Sequence, residues 1–213
     1  MNQRRLNYLH SAVPPDYYHR GVNRNIFQLF WHGRRMRVIK SMILNTRGIL
    51  LDLGSHGGYL TNYMAKQAKA SEVIAIDISP EAISFIKKQH PDWRAICADI
   101  EGKIDIADRS VDLITSLDVF EHLFKPERVI KEAGRIIKPG GFFLVAVPHE
   151  TILWKIIWYL WTKFGPGKVW QEVHLQNFKK KSLDKLFSYH GFVKESEAII
   201  HFGMYYITKY KYG

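Results

Sequence analysis

One aspartate and several glycines lie close together in the stretch from Gly48 to Ala65. Asp52 lies in a leucine- and isoleucine-rich run typical of a buried strand, and glycines follow at 54, 57 and 58. Leu60 and Met64 then recur at helical spacing, so the stretch predicts a strand, a tight glycine turn and a helix. Such a turn lets the backbone approach a ligand and presents helix N–H groups to polar or anionic atoms. An ordinary strand-to-helix connection can use the same turn, so further residues are needed to assign a chemistry.

Two more acidic residues end apolar runs further along the chain. The runs are Glu72 to Asp77 and Trp93 to Asp99, and each reads as a buried strand. The carboxyl ends of parallel strands meet at one edge of a sheet, so Asp52, Asp77 and Asp99 are expected to line one crevice. Asp77 follows Asp52 at about the interval where an acid meets a ribose hydroxyl pair in such folds. The three acids predict a nucleoside site.

Several motifs together resemble the class I S-adenosylmethionine-dependent methyltransferases. They are Asp52-x-Gly54-x-x-Gly57-Gly58, Asp77-Ile-Ser, Ala98-Asp99, the stretch from Ser110 to His122, and Ile137-Lys-Pro-Gly-Gly141. The likeness is greatest to the branch with ubiquinone- and menaquinone-biosynthesis enzymes and many small-molecule methyltransferases, and it covers about Gly48 to Val147, with a weaker echo from His174 to Phe192. It implies S-adenosylmethionine as cofactor. It also implies an α/β fold with a doubly wound, Rossmann-like sheet of seven mostly parallel strands, in the order 3-2-1-4-5-7-6 with the last strand antiparallel.

The resemblance also implies roles for individual residues. Asp52 is expected near the ammonium group of the cofactor, Asp77 on both ribose hydroxyls, and Leu117 near the methyl-bearing sulfonium. Asp99 with Ile100 would meet the adenine. The remaining expected cofactor contacts are Gly54, Ser55, His56, Gly57 and Gly58 in the turn, and Ile78 after the second strand. Where this chain has His56 the family commonly has glycine, so a side chain stands in the tightest part of the turn.

A nicotinamide-binding enzyme is the competing use of a glycine turn. Its G-x-G-x-x-G pattern would need glycine at the positions of His56 and Tyr59, and neither fits. The methyltransferase interpretation is therefore preferred.

The methyl acceptor would need little more than alignment with the sulfonium, and a base if it is a hydroxyl. Candidates for that base are His122, His149 and His174, although a histidine in such a position is more often a polar residue of the pocket wall. Some relatives hold a divalent metal with an acid-and-histidine cluster like Asp118, Glu121 and His122, but no metal is expected here. The stretch after the fourth strand also lacks the Asn/Asp-Pro-Pro-Tyr/Phe motif by which the superfamily marks nitrogen methylation. A carbon or oxygen acceptor is therefore favoured.

An aromatic insertion follows the fifth predicted strand. Thr151 to Phe164 carries tryptophans at 154, 158 and 161, which share one side of a helix. The segment is too short to span a bilayer, but it suits a helix in the lipid interface or a lid over an apolar pocket. It predicts a small or lipid-like acceptor and peripheral membrane contact through residues 151–164 and the basic N-terminal region.

The charge of +11 is divided unevenly along the 213 residues. Residues 1–47 carry nine basic and one acidic side chain, residues 48–150 twelve and fifteen, and residues 151–213 ten and four. We therefore expect a single domain, with a basic arm and helical cap over 1–47 and a methyltransferase domain over 48–213 that holds an insertion at 150–178. The arm, Met1 to Asp16, is expected to be loosely ordered, and helical spacing from Asn23 to Ile43 predicts one helix or two broken near Gly33. The basic flanks leave nucleic acid open as a substrate, and a cofactor-binding protein without catalysis is a third alternative.

The remaining features of the composition bear on the cellular compartment of the protein rather than on its chemistry. The single cysteine, Cys97, lies in a predicted strand, where it is expected to be a buried core residue. It leaves no intrachain disulfide and fits a reducing cytoplasm. No apolar run of secretory or membrane-spanning type is found, so a cytoplasmic protein, in possible peripheral contact with a membrane, is expected.

Overall fold

The computed structural model describes residues 13–18, 26–164 and 175–213, except for the side chains of residues 26–28. Strands and helices alternate through the first two thirds of the chain. Helix α1 (Ile26–Ile43) precedes β1 (Ile49–Leu53), α2 (Tyr59–Ala68), β2 (Glu72–Asp77), α3 (Pro80–Gln89) and β3 (Arg94–Cys97). There follow β4 (Val111–Leu117), a short 3-10 turn (Phe120–His122), α4 (Pro126–Ile136), β5 (Ile137–Pro148) and α5 (Ile152–Phe164). The chain ends with α6 (Lys180–Tyr189), β6 (Phe192–Ile200) and β7 (Tyr205–Tyr212).

The seven strands form one sheet in the order β3-β2-β1-β4-β5-β7-β6. Strands β1 to β5 pair in parallel, whereas β7 pairs antiparallel with both β5 and β6. This confirms the predicted doubly wound, Rossmann-like sheet. The strand order reverses beside β1, so the carboxyl ends of β1 and β4 open a crevice there.

The core lies on both faces of the sheet. On one face, α4 and α6 cover an aromatic cluster that includes Phe120, Phe143 and Phe187. On the other face, α1 and α2 pack on Leu50, Leu113 and Leu144 through a second set of buried side chains: Ile39, Ile43 and Met64. Helix α1 runs without a break through Gly33. Its anchorage at Ile39 and Ile43 holds the preceding turns of the helix over the crevice.

Two expectations differ from the structure. Cys97 is exposed, because β3 is the edge strand and both of its end residues are open to solvent. Part of the expected loose arm is ordered: Val13 is buried, and the carbonyl oxygen of Pro15 lies directly over the glycine turn. No helix in the described ranges is long and apolar enough to cross a bilayer.

Candidate active site

The glycine turn after β1 leaves no space for side chains at two of its positions. A Cβ on Gly54 would come within 2.3 Å of a Val119 methyl group, and the φ of +81° is itself unfavourable for other residues. A Cβ on Gly57 would come within 1.8 Å of the Pro15 carbonyl oxygen. The amides of Gly54 and Ser55 donate to the Ile76 carbonyl, at 2.8 and 2.9 Å, so the turn is tied to β2.

Asp52 is buried beneath this turn. Its carboxylate accepts hydrogen bonds from the Thr61 hydroxyl at 2.5 Å and the Thr115 hydroxyl at 2.7 Å. Burial raises the pKa of Asp52 to about 6, although the two hydroxyl donors oppose that shift. Asp52 therefore places a carboxyl group at the floor of the crevice. A cationic ligand group beside it would lower its pKa and favour its ionised form.

Asp77 lies at the end of β2 with both oxygens in use. One oxygen accepts from the amide of His56 at 2.7 Å and the other from the amide of Ser79 at 2.9 Å. A carboxylate offers about four acceptor positions, so about two remain for ligand hydroxyls. His56 has a positive φ of 47°, and its ring meets the Tyr18 ring edge-on with centroids 5.7 Å apart. Burial lowers the pKa of His56, so its imidazole is neutral at physiological pH.

The first cavity of the site, here called the cofactor cleft, runs along the carboxyl ends of β1, β2 and β4. Most of the cofactor contacts expected from the sequence lie on its wall: Asp52, Gly54, Ser55, His56, Asp77, Ile78, Asp99, Ile100 and Leu117. Gly57 and Gly58 do not; they pack behind it, against Pro15 and against Ile86 with Trp93. The cleft thus has three carboxylates beside a tight glycine turn, where an added Cβ would fill the space. This arrangement suits a ligand with an ammonium group, a sulfonium group and ribose hydroxyls. The residues present therefore fit S-adenosylmethionine.

A second cavity, here called the aromatic cavity, adjoins the cofactor cleft. It has a volume of about 260 Å³ and shares Tyr18, Asp118 and His122 with the cleft. Its walls are rich in aromatic side chains from four separate parts of the chain: Tyr17, Trp31, Trp154, Trp158, Trp161 and Tyr205. The α5 tryptophans thus face inward, and the Trp154 and Trp158 rings stack with centroids 4.8 Å apart. The other face of α5 is exposed and aliphatic.

An ion pair between buried Arg35 and half-buried Asp118 lies at the floor of the aromatic cavity. Arg35 Nη1 donates to Asp118 Oδ2 at 2.5 Å, and the Tyr205 hydroxyl donates to Asp118 Oδ1 at 2.5 Å. The Arg35 guanidinium also lies over the Tyr205 ring, 5.0 Å from its centroid. Burial alone would lower the pKa of Arg35, but the Asp118 carboxylate raises it above its usual value, so the group stays charged.

Two other titratable side chains line the same cavity. Glu121 is buried, and burial together with the neighbouring Asp118 charge raises its pKa well above the usual range. Its Oε2 atom has no hydrogen-bond partner among the described residues. Burial and the Arg35 charge lower the pKa of His32 to about 4, so that ring is neutral. The charged Arg35 guanidinium therefore lies beside a neutral His32 ring and a Glu121 carboxyl group whose neutral form is favoured.

The three predicted candidates for a base have different positions. His122 lies on the walls of both cavities. His149 lines neither; its ring stacks on Tyr206, and its Nδ1 is 2.9 Å from both the Gly203 carbonyl and the Tyr206 hydroxyl. His174 lies outside the described residues. Within the ranges that the structure describes, no group of three His, Cys, Asp or Glu side chains is placed to hold a metal ion.

The sequence interpretation did not single out Tyr18, Arg35 or Tyr205 as residues of the aromatic cavity, and it named Glu121 only as part of an acid-and-histidine cluster. Arg35 had a usable signal, since it precedes the core residue Ile39 by four positions and therefore shares its helix face. Tyr18 and Tyr205 had none, because only the packing of distant segments brings them to the crevice.

Comparisons with known proteins agree with this geometry. A family profile described as a methyltransferase domain matches residues 51–145. The chain is 38% identical over 95 residues to the biotin biosynthesis bifunctional protein BioHC of Cellvibrio japonicus, a match that covers 43% of this chain and 18% of that protein. It is 33% identical over 112 residues to the ubiquinone biosynthesis O-methyltransferase of Coxiella burnetii, covering 50% of this chain and 46% of that enzyme. The match thus spans less than half of either relative.

Solved structures resemble the whole fold. A Thermotoga maritima S-adenosylmethionine-dependent methyltransferase superposes with a TM-score of 0.71 at 19% identity, covering 97% of this chain and 99% of that one. At this identity, the superposition supports the fold alone. The glycine turn, the three strand-end carboxylates and the methyltransferase-domain match coincide in the same residues. Over residues 51–145 the chain therefore carries a methyltransferase domain, similar to those of S-adenosylmethionine-dependent methyltransferases.

Proposed function

We propose that this protein transfers a methyl group from S-adenosylmethionine to an oxygen or carbon atom of a small, largely apolar acceptor held in the aromatic cavity. The observation that carries the proposal is the junction of the two cavities at Tyr18, Asp118 and His122. An acceptor in one cavity would there meet a donor bound in the other.

The residue roles follow from the cleft. Asp52 would hold the ammonium group of the cofactor, and the free acceptor positions of Asp77 would take the ribose hydroxyls. Asp99 and Ile100 would border the adenine, with Leu117 beside the sulfonium. When bound, the cofactor supplies an already activated methyl group, so the protein's main tasks are alignment of the acceptor and exclusion of water.

A hydroxyl acceptor would also have to lose its proton. His122 is the proposed acceptor of that proton among the predicted histidines, because it borders both cavities. Glu121 is a second candidate, because its unpartnered carboxyl oxygen lies in the aromatic-cavity wall and a raised pKa makes its carboxylate form a stronger base. The variants Glu121→Gln and His122→Asn separate the two candidates. Only the variant that lacks the base should lose the fall of kcat at acid pH.

The tryptophans of α5 test the acceptor site. Trp158→Ala is expected to raise the KM of an apolar acceptor while leaving S-adenosylmethionine affinity nearly unchanged, since Trp158 lines only the aromatic cavity. Leu160→Ala, on the exposed face of the same helix, is the matched control and should change neither quantity. Formation of S-adenosylhomocysteine over a panel of phenols, quinols and apolar acids provides the assay. An unchanged KM in Trp158→Ala, or no turnover with any acceptor, would count against the proposal.

The outer face of α5 supports a further role for the same helix at a lipid surface. Its exposed aliphatic and aromatic side chains include Ile152, Leu153, Ile156, Tyr159, Leu160 and Phe164, and its charges are the lysines at 155 and 163. An apolar helix face with flanking lysines is typical of contact with an anionic bilayer. Paired Ile156→Asp and Leu160→Asp changes should abolish sedimentation with vesicles that contain phosphatidylserine, whereas Trp158→Ala should not. Equal adsorption of the wild-type protein, the Ile156→Asp/Leu160→Asp double variant and Trp158→Ala would contradict the lipid contact.

A further inference from the structure

Arg35 lies in the wall of the aromatic cavity, and one edge of its guanidinium has no hydrogen-bond partner among the described residues. The side chain is 1% exposed, and its Nη1 atom is engaged by Asp118. Its Nε and Nη2 atoms are buried and have no hydrogen-bond partner among the described residues. Buried donors of a charged group are costly to leave unpaired, and native structures rarely leave them so without a function.

The two unpartnered atoms form the edge of the guanidinium that recognises planar anions. Nε–H and one Nη2–H point in parallel and match the two oxygens of a carboxylate. Asp118 occupies the opposite side of the group, so it does not compete for this edge. We propose that the acceptor of this enzyme carries a carboxylate, which pairs with the Nε/Nη2 edge of Arg35. This inference rests on the proposed function, because it takes the aromatic cavity to be the acceptor site.

The charges around Arg35 permit such a ligand. The Asp118 carboxylate is already compensated by Arg35 and by the Tyr205 hydroxyl. Burial and the Asp118 charge raise the pKa of Glu121 well above its usual range, which favours its neutral form beside a ligand carboxylate. His32 Nδ1 is also buried without a partner among the described residues, which leaves one more polar contact for the ligand.

The remainder of the wall determines the body of the acceptor. Trp31, Trp154, Trp158 and Met204 present apolar surface around a volume of about 260 Å³. Aromatic walls favour flat rings through offset or edge-on packing. The inferred substrate class is therefore an aromatic or similarly flat apolar acid, with its carboxylate at Arg35 and its methyl-accepting atom toward the junction with the cofactor cleft.

A purely structural Arg35 would use its contacts with Asp118 and Tyr205 and bind nothing at its free edge. The two roles are separated with a ligand pair of equal shape: 2-naphthoate and 2-naphthamide, titrated by calorimetry into the protein saturated with S-adenosylhomocysteine. We expect the acid to bind about tenfold or more tightly than the amide, since a charge-assisted bidentate pair exceeds a neutral contact.

Variants of α1 complete the test. Arg35→Gln should reduce the acid and the amide to equal affinity, and Arg35→Lys should keep part of the preference, because it retains the charge without the fork. Arg37→Gln, an exposed position on the same helix, is the control and should retain the full preference. Equal binding of acid and amide by the wild-type protein, or no binding of the acid, overturns the proposal even where Arg35→Gln does not fold. A preference that survives in folded Arg35→Gln overturns it as well.

The same titrations distinguish this inference from the proposed function. They measure binding and need no turnover. A clear acid preference in a protein that transfers no methyl group would refute the transferase proposal and leave the anion site standing. Turnover of neutral acceptors without any acid preference would do the reverse.

Discussion

Affinity for S-adenosylmethionine should fall with acid pH through a single buried carboxyl group. Asp52 has a pKa raised to about 6 by burial, against hydrogen bonds from Thr61 and Thr115. If its carboxylate holds the ammonium group of the cofactor, only the ionised form binds well. The perturbation is therefore a change from pH 7.0 to pH 5.0, with Asp52→Asn as the variant that removes the titrating group.

The magnitude follows from the ionised fraction. With a pKa of about 6, about ten elevenths of Asp52 are ionised at pH 7 and about one eleventh at pH 5, so Kd should rise about tenfold, or about 1.4 kcal/mol. An ordinary aspartate would lose less than about a tenth of its ionised form over the same range. The pKa of Asp52 is raised in the free protein, and the bound ammonium group would lower it. The affinity for S-adenosylmethionine is therefore full above about pH 6 and is lost as the pH falls through that value.

Calorimetry in two buffers of different ionisation enthalpy measures both the affinity and the proton release. Close to one proton should leave on binding at pH 5, and almost none at pH 7. Asp52→Asn should bind more weakly at pH 7 and show little further loss at pH 5. A wild-type Kd that changes less than about twofold, or a variant with the same slope as the wild type, would refute the assignment of the ammonium site to Asp52.

Three further changes in the cleft have separate expected outcomes. Asp77→Ala should weaken the binding of S-adenosylmethionine by about tenfold to a hundredfold in calorimetry, because charge-assisted hydrogen bonds contribute about 1.5 to 3 kcal/mol. An unchanged Kd would remove Asp77 from the site. His56→Gly should leave the Kd equal or lower, because glycine relieves the positive φ; a large loss of affinity would mean that the imidazole contacts the ligand. Gly57→Ala should lower the melting temperature and open the 13–18 segment to proteolysis, because its Cβ would meet the Pro15 carbonyl oxygen, and an unaltered digestion pattern would contradict that packing.

Much of the fold was predictable because its signals are local. Apolar runs that end in Asp52 and Asp77, the glycines at 54, 57 and 58, and the helical spacing after them are each recognised from a few neighbouring residues. Parallel strands then bring their carboxyl ends to one edge, so the acids met in the cofactor cleft as expected. Burial of Cys97 was wrongly expected, since strand propensity does not reveal which strand lies at the edge.

The acceptor side was decided by tertiary structure. Arg35 is separated from Asp118 by 83 positions, and Asp118 from Tyr205 by 87, so no local pattern links the three. Spacing showed that the tryptophans of α5 share a face, but not whether that face meets lipid or a cavity; packing turned it inward. A basic helix such as α1 is ordinarily a solvated surface, and Arg35 is buried here beside a distant carboxylate that compensates its charge. The sequence by itself thus determined the glycine turn and the strand-end carboxylates of the cofactor cleft, because they lie in contiguous motifs. The aromatic cavity depends on long-range packing, because burial and charge compensation are properties of the assembled chain.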